Sequence, residues 1–300
     1  MELNTLIFPA PNSSYDQKAF EKDLIYIPRR TSDGHFKPRE TGNKKSKKQY
    51  IPCLFLPYTQ GSTKIMIYFH GNAEDLGQAY QLLNHIRNTL KLHVIAVEFP
   101  GYGIYPGTPN SKDILEDANT VFEFITDRCD WKPKDIILFG RSIGTGPATE
   151  LAAGKEPGAL LLMSGYTSIR GVVKHISGYF TQYLVAERFN NLEMMSYVKC
   201  PTFLIHGQQD ELIPYSHSER LHEKCGGPCT LVLPAHMDHN EFDFFDDLSH
   251  PFYFFLLQCN VSIKQKGQLV FPPEVYNVPD NIAKGRKKRR ACCTLMKLFW

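Results

Sequence analysis

Six short apolar runs recur along the chain, and helical segments separate several of them. The spacing of apolar residues predicts helices over Leu76–Leu90, Ile114–Ile125 and about Ile143–Ala153. Continuous apolar strands separated by helices indicate a mostly parallel sheet covered on both faces, which is an α/β fold. Tyr26-Ile27 and Ile51–Leu56 would add antiparallel edge strands. The six runs are Ile65–Phe69, Val94–Val97, Ile136–Phe139, Leu160–Met163, Thr202–Ile205 and Thr230–Leu233.

A G-x-S-x-G motif, GRSIG, spans residues 140–144 between one of these strands and the helix after it. Strand, sharp turn and helix are the context in which an α/β-hydrolase presents its nucleophile. The flanking glycines leave room for a strained turn, and the helix N-terminus favours developing negative charge. The motif therefore predicts Ser142 as a nucleophile. A glycine-rich turn with an incidental serine is the alternative.

A serine nucleophile needs a histidine base and a carboxylate that orients it, and this fold places them in the order Ser, Asp/Glu, His. Asp210 follows the strand Thr202–Ile205 and is our candidate, with Glu211 as a weaker substitute. Two histidines follow the last strand. We prefer His239 to His236, because His239 directly precedes Asn240–Leu248, which the pattern predicts as the final helix.

The loop after the strand Ile65–Phe69 has the sequence HGNAED and leads into the next helix. In this fold one N–H of the oxyanion hole follows the nucleophile and the other comes from this loop. Ile143 and Asn72 are the predicted donors. We expect His70 to be structural rather than catalytic.

The chain divides into a predicted hydrolase domain at 1–260 and a basic, cysteine-containing tail at 261–300, which we expect to be flexible. Within the domain, 166–198 interrupts the strand rhythm with aromatic residues such as Phe180, Tyr183 and Phe189. This insertion predicts a small helical cap over the site. An ordinary pair of surface helices is the equal alternative.

Charge is distributed unevenly between these two parts. Residues 264–300 carry nine Lys and Arg against two acidic residues, whereas the rest has 25 basic and 29 acidic side chains. Such a tail indicates an anionic partner. Next to the run KGRKKRR stand Cys292 and Cys293, which are candidate S-palmitoylation sites because a polybasic run and acylation together give stable anchoring. A nuclear-localisation or nucleic-acid patch, or a solvated tail, is the alternative.

Other classes of protein find little support in the sequence. The cysteines are scattered, and neither they nor the histidines have the spacing of zinc ligands, so we expect no metal and no organic cofactor. The first thirty residues carry charges where a secretory signal needs an apolar run, and no uncharged apolar segment approaches the ~20 residues of a membrane span. We therefore expect a cytoplasmic protein.

Several motifs together resemble the ABHD-type serine hydrolases, especially the alpha/beta hydrolase domain-containing protein 17 subfamily. The similarity covers roughly residues 8–257. The motifs, in order, are FPAPNSSY (8–15), HGNAED (70–75), FPGYGIYPGTP (99–109), FGRSIGTGPA (139–148), CPTFLIHGQQDELIPYSHS (200–218) and MDHNEF (237–242). Members of that subfamily are protein depalmitoylases, so the resemblance implies a triad of Ser142, Asp210 and His239. The N-terminal cysteine cluster of the subfamily is missing from residues 1–20 here.

The resemblance implies a palmitoyl-protein thioesterase that acts on an S-acylated protein or a lipid-like ester. Through its tail the protein would bind the anionic cytoplasmic face of membranes as a peripheral protein, and we expect no nucleic acid as a partner. A lipase or esterase for acylglycerols or small esters is one alternative, because this fold hosts many substrates. A non-catalytic, membrane-associated binding module is another.

Overall fold

Eight strands form one sheet in the computed structural model, which describes residues 7–30, 36, 50–177, 187–265 and 269–283. Their order across the sheet is β1-β2-β4-β3-β5-β6-β7-β8. The strands are β1 (Leu24–Pro28), β2 (Tyr50–Leu56), β3 (Ile65–Phe69), β4 (His93–Val97), β5 (Ile136–Arg141), β6 (Ala159–Met163), β7 (Thr202–Ile205) and β8 (Cys229–Val232).

Strands β3 to β8 pair in parallel, and β1 and β2 join the sheet in antiparallel pairings. This confirms the predicted mostly parallel sheet and its two antiparallel strands, of which β1 lies at the edge and β2 lies between β1 and β4. Strand β3 has β4 as its neighbour on one side and β5 as its neighbour on the other, so the chain changes direction across the sheet after β4. The loops after β3 and β5 therefore leave a crevice at the carboxyl edge of the sheet, where α/β proteins bind ligands.

Helices cover both faces because successive side chains of each buried strand point in opposite directions. Ile65, Ile67 and Phe69 belong to one core cluster, whereas Met66 and Tyr68 belong to the other. The helices are α1 (Leu76–Leu90), α2 (Ser111–Arg128), α3 (Thr145–Lys155), α4 (Ile169–Ser177), α5 (Asn191–Met194), α6 (Ser216–Lys224), α7 (His250–Gln258) and α8 (Asp280–Ala283).

The first core cluster includes apolar residues of α2, α3, α4 and α6, and the second includes those of α1 and α7. Helix α1 is the clearest case of sequence dictating an element. Asp75 and Gln78 form a capping box at its start, and its buried residues recur at helical spacing. Both layers thus rest on the same sheet. Within the described part of the chain, no helix is long and apolar enough to cross a membrane.

The helix that the sequence pattern predicts over Asn240–Leu248 begins later in the structure. Asn240–Asp243 is not helical, and a π-helical turn over Phe244–Ser249 leads into α7. Asp243 caps that turn, because its Oδ1 accepts hydrogen bonds from the backbone N–H groups of Phe245 and Asp246. Short acidic side chains favour such caps over the helix interior, and for this reason the prediction that the helix starts at 240 was wrong.

The packed body extends beyond the predicted domain boundary at residue 260. Phe271 and Val275 are 1% exposed and belong to the first core cluster, and Ile282 belongs to the second. Residues 269–283, which the sequence pattern assigns to the tail, therefore pack against the rest of the fold. Cys292, Cys293 and the polybasic run lie outside the described residues.

The described ends of the insertion at 166–198 pack onto the sheet. Tyr166, Ile169, Val172 and Phe189 are buried in the first core cluster. Phe180 and Tyr183 lie outside the described residues. The predicted cap stays a prediction.

Candidate active site

A cavity of about 540 Å³ lies at the carboxyl edge of the sheet, where the loops after β3, β5, β7 and β8 meet. It brings the predicted nucleophile and base to the same space. Its described lining residues are Gly71, Asn72, Ala73, Glu74, Gln78, Arg141, Ser142, Leu212, His239 and Asn240.

Ser142 stands on a sharp turn between β5 and a single 3-10 turn that leads into α3. Its φ is +50°, in the left-handed region that L-residues rarely adopt, and such strain persists where the surrounding structure holds it. Ser142 is 2% exposed, and its Oγ makes no hydrogen bond to any part of the chain that the structure describes. The hydroxyl is thus left available to a reacting group.

Gly144 explains why the turn can form next to β3. A Cβ at this position would lie 2.1 Å from the carbonyl oxygen of Phe69 and 2.7 Å from that of His70. Only glycine permits this close approach, because real Cβ atoms do not come so near a backbone oxygen. The motif glycine therefore seats the turn directly against the loop after β3.

Asp210 lies in the loop after β7, and its carboxylate accepts four hydrogen bonds. Oδ2 accepts from His239 Nδ1 at 2.7 Å and from His206 Nε2 at 3.1 Å. Oδ1 accepts from the backbone N–H groups of Leu212 and Ile213. Burial opposes ionisation of this carboxyl, but the hydrogen bonds from the histidines and from Ile213 outweigh it, so its pKa lies below the ordinary 3.8.

Of the two candidate histidines that follow the last strand, His239 is the one that contacts this carboxylate. Because an ionised carboxylate can only accept, Nδ1 of His239 carries the proton, and Nε2 is left as the acceptor. The side chain is 13% exposed and lines the cavity with Ser142. His236 instead pairs with Asp247 at 3.0 Å and is 68% exposed. The geometry separates the two histidines that the sequence left in competition.

Gly207 lets the loops that carry Asp210 and His239 touch. A Cβ there would lie 2.1 Å from the carbonyl oxygen of Met237. That same oxygen accepts the N–H of Gln209 at 3.0 Å, and Met237 is fully buried. The two loops are therefore joined through backbone atoms immediately beside the acid–histidine pair.

His206 is a site residue to which sequence reasoning assigned no role. It is fully buried, and its Nε2 faces two acceptors, Asp210 and the carbonyl oxygen of Ile213, so Nε2 carries the proton. Its Nδ1 then accepts from Ser218 Oγ at 2.7 Å. His206 thus holds the same carboxylate oxygen of Asp210 that His239 contacts. The only signal in the sequence is its position directly after β7.

The two predicted oxyanion residues are Asn72, in the loop after β3, and Ile143, in the turn after β5. Asn72 lines the cavity, and its side chain holds the loop: Nδ2 donates to the Ile7 carbonyl at 2.7 Å, and Oδ1 accepts from Tyr102 Oη at 2.6 Å. The backbone N–H of Asn72 is therefore the group suited to an oxyanion. Ile143 follows Ser142 and is 2% exposed. Their role as donors stays a prediction.

A buried histidine–glutamate pair supports this loop. His70 Nε2 lies 3.1 Å from Glu98 Oε1, both side chains are inaccessible, and His70 Nδ1 is 2.8 Å from the carbonyl oxygen of Gly71. Burial lowers the pKa of His70, but Glu98 outweighs it, and the net shift is upward. Tyr15 donates to the other oxygen of Glu98 at 2.7 Å. This arrangement gives His70 the structural role that we expected.

The chain resembles several known proteins, although no family model matches it. It is 29% identical over 200 residues to human alpha/beta hydrolase domain-containing protein 17B, covering 67% of this chain and 68% of that protein. It is 32% identical over 191 residues to the alpha/beta hydrolase domain-containing protein aho-3 of Caenorhabditis elegans, covering 64% and 57%. The chain thus matches between about half and two thirds of the length of these relatives.

Solved structures with a similar fold include esterases. An esterase of Pyrococcus furiosus, Pf2001, superposes with a TM-score of 0.62 at 17% identity, covering 84% of this chain and 98% of its own. Est1E of Butyrivibrio proteoclasticus superposes with a TM-score of 0.59 at 14% identity, covering 80% and 100%. At these identities the likeness shows the fold.

The sheet and its strand order have the α/β-hydrolase fold, and the fold prediction is confirmed. In sequence the chain is similar to the alpha/beta hydrolase domain-containing protein 17 relatives.

Proposed function

We propose that the protein is a serine hydrolase that cleaves an acyl ester or thioester through an acyl-enzyme on Ser142. One observation carries the proposal. Ser142 holds an unpartnered hydroxyl in the cavity that His239 lines, and His239 is oriented by a buried, ionised Asp210 at 2.7 Å. A serine, a histidine and a carboxylate in these roles make up the catalytic unit of serine hydrolases.

The reaction follows from the protonation states of these groups. The free Nε2 of His239 takes the proton of Ser142 as the oxygen attacks the acyl carbon, and Asp210 stabilises the imidazolium that forms. The N–H groups of Ile143 and Asn72 stabilise the oxyanion, and one such donor contributes about 3–4 kcal/mol. His239 returns its proton to the leaving thiol or alcohol. Water activated by His239 then releases the acid.

Labelling with a fluorophosphonate probe tests the mechanism. The wild-type protein should be labelled and Ser142→Ala should not. Ser164 provides a matched control, because it is also fully buried, also has a positive φ (+52°) and also has an unpartnered hydroxyl, but it does not line the cavity. Ser164→Ala should therefore keep the label. Labelling that survives in Ser142→Ala would contradict the proposed nucleophile.

For the substrate, we propose a palmitoyl-protein thioester. The support is the resemblance to the protein 17 subfamily of depalmitoylases and the relatives of that name. A second candidate, an esterase for small esters, is favoured by the polar and charged residues that line the cavity, among them Glu74, Gln78 and Arg141. Rates on an S-palmitoylated peptide, a monoacylglycerol and a p-nitrophenyl acetate should be compared. Faster turnover of the acetate would favour the small-ester function, and a wild-type protein inert to the probe and all three would favour a binding module.

The tail supports a proposal about location. We propose that the run KGRKKRR and palmitoylated Cys292 and Cys293, which lie outside the described residues, hold the protein on anionic cytoplasmic membrane faces. Fractionation of cells that express the wild type or the Cys292→Ser/Cys293→Ser variant tests this. The variant should move to the soluble fraction, and an unchanged distribution would contradict anchoring by these cysteines.

A further inference from the structure

Arg141 directly precedes the nucleophile, and its guanidinium reaches the loop that carries the base. Nη2 donates to the backbone carbonyl of His239 at 3.3 Å and to Asn240 Oδ1 at 3.1 Å. The side chain is only 14% exposed and lines the cavity. The position of His239 is therefore fixed at two points, at its ring by Asp210 and at its backbone by Arg141.

The other end of the same guanidinium reaches the oxyanion loop. Arg141 Nη1 pairs with Glu74 Oε2 at 3.2 Å, and that oxygen also accepts the N–H of Gly71 at 2.8 Å. Gly71 immediately precedes Asn72. The Glu74 side chain is 12% exposed, so its charge is screened little by solvent. One planar group thus connects the nucleophile, base and oxyanion loops.

We propose that Arg141 is a positioning residue that holds His239 in register with Ser142 and neutralises Glu74 beside the oxyanion loop. The proposal rests on the serine-hydrolase function above and adds a residue that the triad does not include. Its two actions are separable, because Arg141 donates to the His239 loop through Nη2 and pairs with Glu74 through Nη1.

Physical chemistry explains why an arginine suits this place. Its rigid fork offers donors in two directions at once, whereas a lysine is a single charged point on a flexible stem. A small displacement of a catalytic group costs on the order of 10²-fold in rate. In addition, an uncompensated Glu74 would oppose the negative charge that forms on the oxyanion in the transition state.

Four variants test the proposal on a p-nitrophenyl ester: Arg141→Met, Arg141→Lys, Glu74→Gln and the double variant Arg141→Met/Glu74→Gln. Arg128→Met is the matched control, because Arg128 also pairs with a glutamate, Glu274, but does not line the active-site cavity. For each variant kcat, KM and the midpoint of thermal unfolding are measured. The double variant retains no unpaired charge and keeps the test informative if Arg141→Met folds poorly.

Arg141→Met should lower kcat by about 10²-fold and leave KM within about 3-fold, because alignment of the reacting groups is lost rather than substrate binding. Arg141→Lys should fall between Arg141→Met and the wild type. The double variant should be more active than Arg141→Met, since removing the Glu74 charge relieves its effect on the oxyanion. A purely structural role would lower the unfolding midpoint without this recovery.

The proposal is overturned if Arg141→Met keeps kcat within about 3-fold of the wild type, or if the double variant recovers nothing. Failure of the serine-hydrolase function has a different signature. In that case the wild type itself would show no turnover that depends on Ser142, whatever the Arg141 variants do.

Discussion

At Asp210, four accepted hydrogen bonds come from two histidines and two backbone N–H groups. Each oxygen of the carboxylate accepts two of these hydrogen bonds, and together they stabilise its ionised form and fix its position. Under the proposed mechanism this matters twice. The ionised carboxylate fixes the tautomer of His239, and it stabilises the imidazolium when that residue takes the serine proton.

Replacing Asp210 by asparagine should separate this electrostatic role from simple packing. The amide has the same size, but its NH₂ group donates hydrogen bonds and cannot accept one from Nδ1–H, so the ring would favour the wrong tautomer. We expect kcat to fall by about 10⁴-fold. Ester hydrolysis by purified Asp210→Asn and wild-type protein measures the change.

Glu211 supplies the control for this substitution. Glu211 is the neighbouring acid, and its side chain is exposed. Glu211→Gln should leave kcat within about 2-fold, because surface substitutions away from buried networks usually have small effects. If Glu211→Gln caused the larger loss, the carboxylate would have been assigned to the wrong residue.

The sequence was sufficient to predict the three residues of the proposed triad but not the residues that hold them in place. Strand order and the positions of polar residues after strands point to Ser142, Asp210 and His239. His206 and Arg141 act through contacts with residues 4, 67 and 98 positions away, and no local pattern records those distances. Side-chain networks of this kind arise only when separate loops meet at one edge of the sheet.

Among the elements, the turn between β5 and α3 has a strict steric requirement. The backbone of Gly144 lies against the end of β3, where a side chain has no space. Gly144→Ala should therefore displace the turn and reduce kcat by at least about 10²-fold, since Ser142 and the N–H of Ile143 would both move. Kinetics on an ester substrate, together with the thermal unfolding midpoint, would measure this.

Gly154 offers a control glycine only ten residues further on. It lies in α3, and a Cβ there would meet nothing within 4 Å. Gly154→Ala should leave activity unchanged and stabilise the fold by up to about 1 kcal/mol, because alanine favours the helix. Equal activity losses in the two variants would contradict the steric account of the turn.

The N-terminal segment supports the site as a second element. Tyr15 donates to the fully buried Glu98, which pairs with His70 under the oxyanion loop. Tyr15→Phe would remove one partner of a buried charge, and we expect it to lower the free energy of unfolding by about 1–3 kcal/mol. Urea unfolding measures the change. Tyr197→Phe, at a 58% exposed tyrosine, should change it by less than about 0.5 kcal/mol. A similar effect at both tyrosines would contradict a special role for Tyr15.

Element boundaries show where sequence patterns lose their power. Long apolar periodicity located α1 from its first residue to its last, and the β3 and β7 strands were placed without error. The helix after β8 was predicted to start too early. Asp238 and Asp243 hold the chain in a turn there, and the spacing of apolar residues does not reveal such a turn. Local hydrogen bonds by aspartate compete there with the helix.

On the scale of the whole molecule, the sheet is flanked at its β1–β2 end by a segment far along the chain. Phe271 lies between Phe55 of β2 and Phe124 of α2, with ring centroids 4.7 Å and 6.4 Å away. Composition assigned this region to the tail because its basic charge increases towards the end. An aromatic residue that completes the core is not visible in composition, since it is isolated among polar and proline residues.

The neighbouring residues Phe271 and Val270 allow this packing to be tested. Phe271 is 1% exposed, whereas Val270 is 77% exposed. Phe271→Ala should lower the free energy of unfolding by about 3–5 kcal/mol, because it removes a buried ring and leaves a cavity beside Phe55. Val270→Ala should change it by less than about 0.5 kcal/mol, because its side chain already contacts solvent. Urea denaturation of the full chain, followed by circular dichroism, measures both. If Phe271→Ala were as stable as Val270→Ala, residues 269–283 would not belong to the folded body, and the hydrolase domain would end near residue 260, as composition predicts.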